Sequence, residues 1–178
     1  SWAESVLSDG RSEVIFQTCA QLFAILPGLP GAFLRRAFYT LTLESCSANC
    51  HIGFGSIFAH RQASVGDFVY VGSYALLGSA SLGDHALIGS RVSVLSGPAL
   101  HVLEDSGHWS PYSPERLERV YIGDNTWIGE AAVVAADIGA GTMVGAGAVV
   151  TTPVRPGVVV AGNPARFVRK LDNDNADA

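Results

Sequence analysis

The sequence predicts an all-β architecture, a parallel β-helix of hexapeptide repeats with an N-terminal helical segment and a protruding loop. Three observations predict it. Ten of the 20 glycines directly follow an Ile, Leu or Val: Ile52-Gly53, Val65-Gly66, Val71-Gly72, Leu77-Gly78, Leu82-Gly83, Ile88-Gly89, Ile122-Gly123, Ile128-Gly129, Ile138-Gly139 and Val144-Gly145. Many of these pairs stand six residues apart, and the runs continue to Val94, Val134 and Val150. The residue four after each aliphatic is Ser56, Val69, Ala75, Ser81, Ala86, Val92, Thr126, Ala132, Thr142 or Ala148. Those four residue types supply 66 of the 178 residues, so chance would give ten of ten on the order of 5 times in 100,000.

The physical reading is a short strand that turns every six residues. The aliphatic side chain points inward, glycine lets the chain bend at the corner, and the small residue four along fills the narrowing interior. A single turn cannot bury its own apolar face, so turns stack about 4.8 Å apart and share one core.

Residues 1–45 form a helical, capping segment. The stretch from Val14 to Leu29 carries Gln17, Gln21 and Pro27, which makes it a poor membrane span. It reads as one amphipathic helix ended by Pro27-Gly28 and Pro30-Gly31. Packed on the repeat domain, it covers strand edges otherwise prone to aggregation; lying on a membrane surface is the alternative. A chain that opens on Ser1 without a signal peptide reads as a trimmed product or part of something longer. The repeat domain occupies 46–171, followed by an acidic tail at 172–178. Within it the pattern fails from Leu95 to Tyr121, 27 residues, more than the 18 of one coil. This stretch must leave the prism as a loop, carrying His101, His108, Trp109 and Tyr112 and stiffened by Pro98, Pro111 and Pro114. A shorter break places a compact corner at Ala135-Ala136-Asp137.

A net charge of -5, with Lys170 the only lysine, excludes general nucleic-acid binding, which needs a cationic surface. Three cysteines are too few for a disulfide scaffold and suit a reduced, cytoplasmic setting. Cys46-x3-Cys50-His51 has no second ligand pair at usable spacing for a metal, so the thiols read as buried and inert.

Downstream of the loop the chain reads Ile122-Gly-Asp-Asn-Thr-Trp127-Ile-Gly-Glu130, then Val144-Gly-Ala-Gly-Ala-Val-Val150-Thr151-Thr152, then Val160-Ala-Gly162-Asn163-Pro164-Ala165-Arg166-Phe-Val-Arg169. From about Cys46 to Leu171 this resembles the hexapeptide-repeat acyltransferases, the CoA-dependent acetyltransferases of maltose, galactosides, serine and chloramphenicol-type antibiotics. Leu95-Ser-Gly-Pro-Ala-Leu-His101 and the segment Leu26 to Tyr39 are similar to members found in exopolysaccharide assembly. The resemblance implies a left-handed coil, where the general rule for parallel crossovers gives right-handed. It also implies acyl transfer from acetyl-CoA, as co-substrate and with no metal, to a hydroxyl or amine of a small acceptor such as a sugar.

Such a reaction needs a base, and carry-over by motif places it at His101, with His108 second. Oxyanion donors are backbone N–H groups at Ser96-Gly97 or around Glu130. The family's CoA contacts fall on Trp127, Glu130, Ala146, Thr151, Thr152, Arg166 and Arg169. Relatives often carry lysine at the position of Thr152 and a small residue at that of Glu130. From Ile138 to Leu171 there is no Asp or Glu, yet Arg155, Arg166, Arg169 and Lys170 fall there, which suits an anionic cofactor. Tyr70, Tyr74 and His108 are the candidate acceptor contacts. The resemblance further implies a homotrimer with the CoA groove between neighbours. Rival readings are a zinc enzyme like the γ-type carbonic anhydrases, with His51, His60, His85, His101 and His108 to draw on, and a non-catalytic scaffold.

Overall fold

The computed structural model describes residues 11–97 and 100–171, without the side chains at 11 and 12. Pro98 of the expected loop and the acidic tail at 172–178 lie outside them. Two helices, α1 (Arg11–Ala24) and α2 (Gly28–Thr42), precede a parallel solenoid of about six turns. Its first face stacks β1 (Ser45–Cys46), β4 (Ser64–Val65), β7 (Ala80–Leu82) and β10 (Val120–Ile122), continued by single bridges at Ile138 and Val154. The second stacks β2 (His51–Ile52), β5 (Tyr70–Val71), β8 (Leu87–Ile88), β11 (Trp127–Ile128), β13 (Met143–Val144) and β15 (Val158–Ala161), and ends in β16 (Arg166–Lys170), antiparallel to β15. The third stacks β3 (Ile57–Phe58), β6 (Leu76–Leu77), β9 (Ser93–Val94), β12 (Val133–Val134) and β14 (Val149–Val150).

All ten aliphatics of the repeat are buried, and so are nine of the ten small residues four places on. The exception is Ser81. Leu77 and Leu82 are five residues apart, so Ala80 takes the interior slot and Ser81 turns out to hydrogen-bond Ser64 at 2.8 Å. Fully buried side chains such as Ile52, Phe58 and Leu77 each contribute about 1.5–3 kcal/mol by leaving water.

The glycines work differently from the corner bend expected of them. A Cβ at Gly89 would stand 2.7 Å from the Glu130 amide nitrogen and 2.9 Å from the Gly129 carbonyl carbon, both backbone atoms of the next coil. Glycine is required because the coils approach so closely. The bend falls two residues later, at positions with positive φ, and six of these are not glycine: Phe68, Tyr74, His85, Arg91, Asn125 and Ala131. Each is held there by donating its N–H to a carbonyl of the preceding coil, as His85 does to Asp67 at 2.8 Å and Ala131 to Ser90 at 2.9 Å.

Among the described residues the N-terminal segment is two helices, not one. Pro30 and Gly31 open α2 rather than ending α1, because a proline in the first turn forfeits an N–H that has no partner there. Tyr39, fully buried, packs its ring 5.0 Å from Phe58 and its hydroxyl accepts the Phe58 N–H at 3.2 Å. Arg35, 2% exposed, donates from Nε to the Ile52 carbonyl at 3.0 Å and from Nη1 to those of Leu26 (2.7 Å), Phe23 (3.2 Å) and Ala24 (3.4 Å). One guanidinium thus ties the end of α1 to α2 and to the first coil.

Candidate functional site

The rungs of the second face place the excursion. His51 pairs with Tyr70, Tyr70 with Leu87, Leu87 with Trp127 and Trp127 with Met143. All but one of these steps are a single coil of 16 to 19 residues, while the step from Leu87 to Trp127 is longer by the loop. Ser96 closes its base: its hydroxyl accepts the Ser79 N–H at 2.9 Å and its carbonyl accepts that of Glu118 at 3.1 Å. The excursion therefore spans 97–117, narrower than the expected 95–121, because Val120 and Tyr121 have already rejoined the sheet beside Ala80 and Ser81.

Within the loop, Leu103 and Trp109 form an antiparallel bridge, making a hairpin with His108 near its tip. Ser110, 4% exposed, is its organising residue. Its N–H donates to the Val102 carbonyl at 2.8 Å, and its hydroxyl accepts from the Val102 N–H at 3.0 Å and from Arg116. Its carbonyl lies 2.8 Å from Nδ1 of His101. A carbonyl only accepts, so Nδ1 carries the proton of the neutral imidazole and Nε2 carries the lone pair on an exposed ring. Neither Ser110 nor Arg116 belongs to any periodic pattern, and sequence reasoning missed both.

A second anchor joins the loop to the body. Tyr112 stacks on His60 with ring centroids 6.2 Å apart and planes 3° from parallel. Nδ1 of His60 lies 4.0 Å from a Glu13 carboxylate oxygen of α1. Burial holds His60 below its ordinary pKa and pushes Glu13 above its own, the latter opposed by the charge of Arg61. At the root of the loop a cleft of about 230 Å³ opens between Gly97, Glu118, Asp137, Thr151 and Pro153. Arg119, on its wall, pairs with Glu44.

The remaining expected residues fall into separate groups. Tyr70 and Trp127, about half exposed, lie on the second face two rungs apart, with Tyr70 stacked on His51 at 5.1 Å. Tyr74, Glu130 and Ala146 line the edge between the second and third faces, where Arg91 of the coil before pairs with Glu130 at 3.2 Å. Arg166 and Arg169 sit exposed on β16, and Arg155 lies over the Phe167 ring at 5.0 Å. Thr151 and Thr152 lie on the opposite edge of the third face, with the loop that carries His101 and His108. One chain does not bring the two groups together. Among the described residues, no three His, Cys, Asp or Glu side chains converge as metal ligands would.

Neither a protein-family model nor a curated protein sequence matches the chain. Solved structures do. A hexapeptide-repeat acetyltransferase from Vibrio cholerae superposes with a TM-score of 0.70 at 22% identity, over 93% of this chain and 96% of that one. A galactoside acetyltransferase in complex with coenzyme A gives 0.75 at 20% identity, over 96% and 88%. A maltose O-acetyltransferase from Clostridium difficile 630 gives 0.73 at 19% identity, over 93% and 91%. Helical cap, repeat and excursion together give this chain the fold of the hexapeptide-repeat acetyltransferases.

Proposed function

We propose that the protein transfers an acetyl or related acyl group from acetyl-CoA to a hydroxyl or amine of a small acceptor, with His101 as general base. The observation that carries this reading is the Nδ1 contact of His101 with the Ser110 carbonyl, which leaves Nε2 exposed to take a proton. In the reaction Nε2 accepts the acceptor's proton as its oxygen or nitrogen attacks the thioester carbonyl. Backbone N–H groups at Ser96-Gly97 or around Glu130 would face the developing oxyanion, and the imidazolium then returns the proton to the departing thiolate. The fold likeness to galactoside and maltose acetyltransferases supports a sugar acceptor, met by Tyr70, Tyr74 and His108.

For CoA, Trp127, Ala146, Thr151 and Thr152 would line the pantetheine arm, while Arg166 and Arg169 answer the phosphates. Among the described residues no carboxylate pairs with either arginine, and Glu130, neutralised by Arg91, would not repel a phosphate. The separation of the two residue groups supports a homotrimer in which the loop of one copy meets the second face of the next. Ile15, Leu22, Ile25, Leu29 and Phe33, all exposed on the helical cap, support contact with a membrane surface, though no helix among the described residues is long and apolar enough to cross a membrane.

The test is His101→Ala with acetyl-CoA and a panel of sugars and amino sugars. The rate should fall about 10²–10⁴-fold, the usual worth of a general base. An unchanged rate refutes the assignment, and stoichiometric zinc without CoA binding favours the carbonic-anhydrase-like reading. A mass measurement showing a fully active monomer refutes the shared site.

A further inference from the structure

Cys46 ends β1, Cys50 immediately precedes β2, and the turn between them brings their Sγ atoms to 3.7 Å. The structure corrects the reading of these thiols as buried in one respect, at Cys46. Cys46 is only half-buried, whereas Cys50 is 7% exposed behind it. A disulfide needs its sulfurs about 2.05 Å apart, about 1.6 Å closer than they stand here. No other atom separates the pair, and Arg36 of α2 places a positive charge near both sulfurs.

We infer that Cys46 and Cys50 are a redox-sensitive pair that a hydroperoxide converts to a disulfide, Cys46 reacting first and Cys50 resolving. The Cys46 thiol is held below its ordinary pKa by the hydrogen bond from Cys50, then by Thr40 and Arg36, while that bond and burial push Cys50 up. The less buried member is therefore also the better nucleophile. In the first step the Cys46 thiolate takes the terminal oxygen of the hydroperoxide: an S–O bond forms, the O–O bond breaks, and the departing oxygen takes up from solvent the proton that the thiol lost on ionising and leaves as water or an alcohol. In the second, the Cys50 sulfur attacks Sγ of Cys46, the S–S bond forms, the S–O bond breaks, and the Cys50 proton leaves with hydroxide as water. The two thiols lose two electrons and the peroxide gains them; a dithiol reverses the change. The link closes the first corner of the solenoid, against the helical cap, and does not depend on the acyl-transfer reading.

The test is thiol titration and intact mass on the full chain, before and after stoichiometric hydrogen peroxide. Three free thiols should fall to one, Cys19, with the mass of two hydrogens lost and dithiothreitol restoring all three. In Cys50→Ser, Cys46 should stop at a sulfenic acid that dimedone traps. Three thiols persisting in the wild type, oxidation of Cys19 as fast as of Cys46, or sulfinic acid without an intermediate Cys46–Cys50 peptide link would each overturn the inference.

Discussion

Replacing Arg35 by methionine should loosen the cap from the solenoid. Methionine keeps most of the buried stem and removes the guanidinium, leaving the carbonyls of Ile52 and Leu26 without their donor and those of Phe23 and Ala24 with the N–H groups of Leu26 and Gly55 alone. Hydrogen bonds to a charged group are worth about 1.5–3 kcal/mol each, yet three of these share one nitrogen, so they do not add. A cation at a helix C-terminus contributes up to about 2 kcal/mol more when partly buried. Against this, burial holds the Arg35 pKa below its ordinary value, a sign that the charge is costly where it sits, and methionine relieves that cost. The balance is a loss of about 2–4 kcal/mol, a large share of the 5–15 kcal/mol typical of a domain. Urea unfolding followed by circular dichroism measures it, and Arg35→Lys, with one donor centre instead of a fork, should fall between. A methionine variant within about 0.5 kcal/mol of wild type would refute the reasoning, since surface substitutions do no more than that.

Gly89→Ala should cost about 3 kcal/mol, the upper end of overpacking, because its Cβ meets backbone that cannot move. Gly141→Ala, open on all sides but at φ +62°, should cost only the roughly 1–2 kcal/mol of a left-handed residue; equal losses in thermal melts would contradict the close-approach role of Gly89. Ser110→Ala keeps the carbonyl that holds His101 but deprives Val102 and Arg116 of their acceptor. The acyl-transfer kcat should drop about tenfold, about 1.4 kcal/mol of net loss from the two hydrogen bonds together, with KM for acetyl-CoA little changed; a change in KM alone refutes the positioning role. Stability should decline as pH falls below 6.5. His51 and His60 are both held below that value, so the unfolded chain takes up protons first and gains on acidification. Glu13 blunts the decline, because its raised pKa makes its unfavourable charge disappear as pH drops. His60→Phe should flatten the profile while keeping the stack on Tyr112, and a profile as steep as wild type assigns the effect elsewhere.

How much of the solenoid was legible follows from which forces repeat. The aliphatic, glycine and small positions were readable because each meets the same neighbour on every coil, so the sequence must repeat too. The bend was not readable. Its positive φ is set by a main-chain hydrogen bond to the coil before, which any residue can make, and the positions hold Phe, Tyr, His, Arg, Asn, Ala and Gly alike. The shift at Ser81 needed one more step, seeing that a five-residue side moves the interior slot to Ala80. The cap failed for a related reason: Pro30-Gly31 marks a helix boundary without saying which side of it the helix lies on, and the choice is made by tertiary contact. A Cβ on Gly31 would fall 1.9 Å from the Leu26 carbonyl oxygen and 3.1 Å from Arg35.

The candidate site divides along the same line. His101 could be singled out through the family resemblance, which carries the base over to a histidine beside the point where the repeat gives way to the excursion. Its tautomer could not, since it depends on Ser110, nine residues on, whose own place is fixed by Val102 and Arg116. That network is an unrepeated solution to burying one hydroxyl in a loop with no strands to share, and a buried hydroxyl left unsatisfied there would cost about 1–3 kcal/mol. The loop therefore has reason to keep a single conformation even though, among the described residues, one antiparallel bridge crosses it. The base proposed at His101 would gain directly from this, because the same bonds that order the hairpin fix the nitrogen that holds the lone pair.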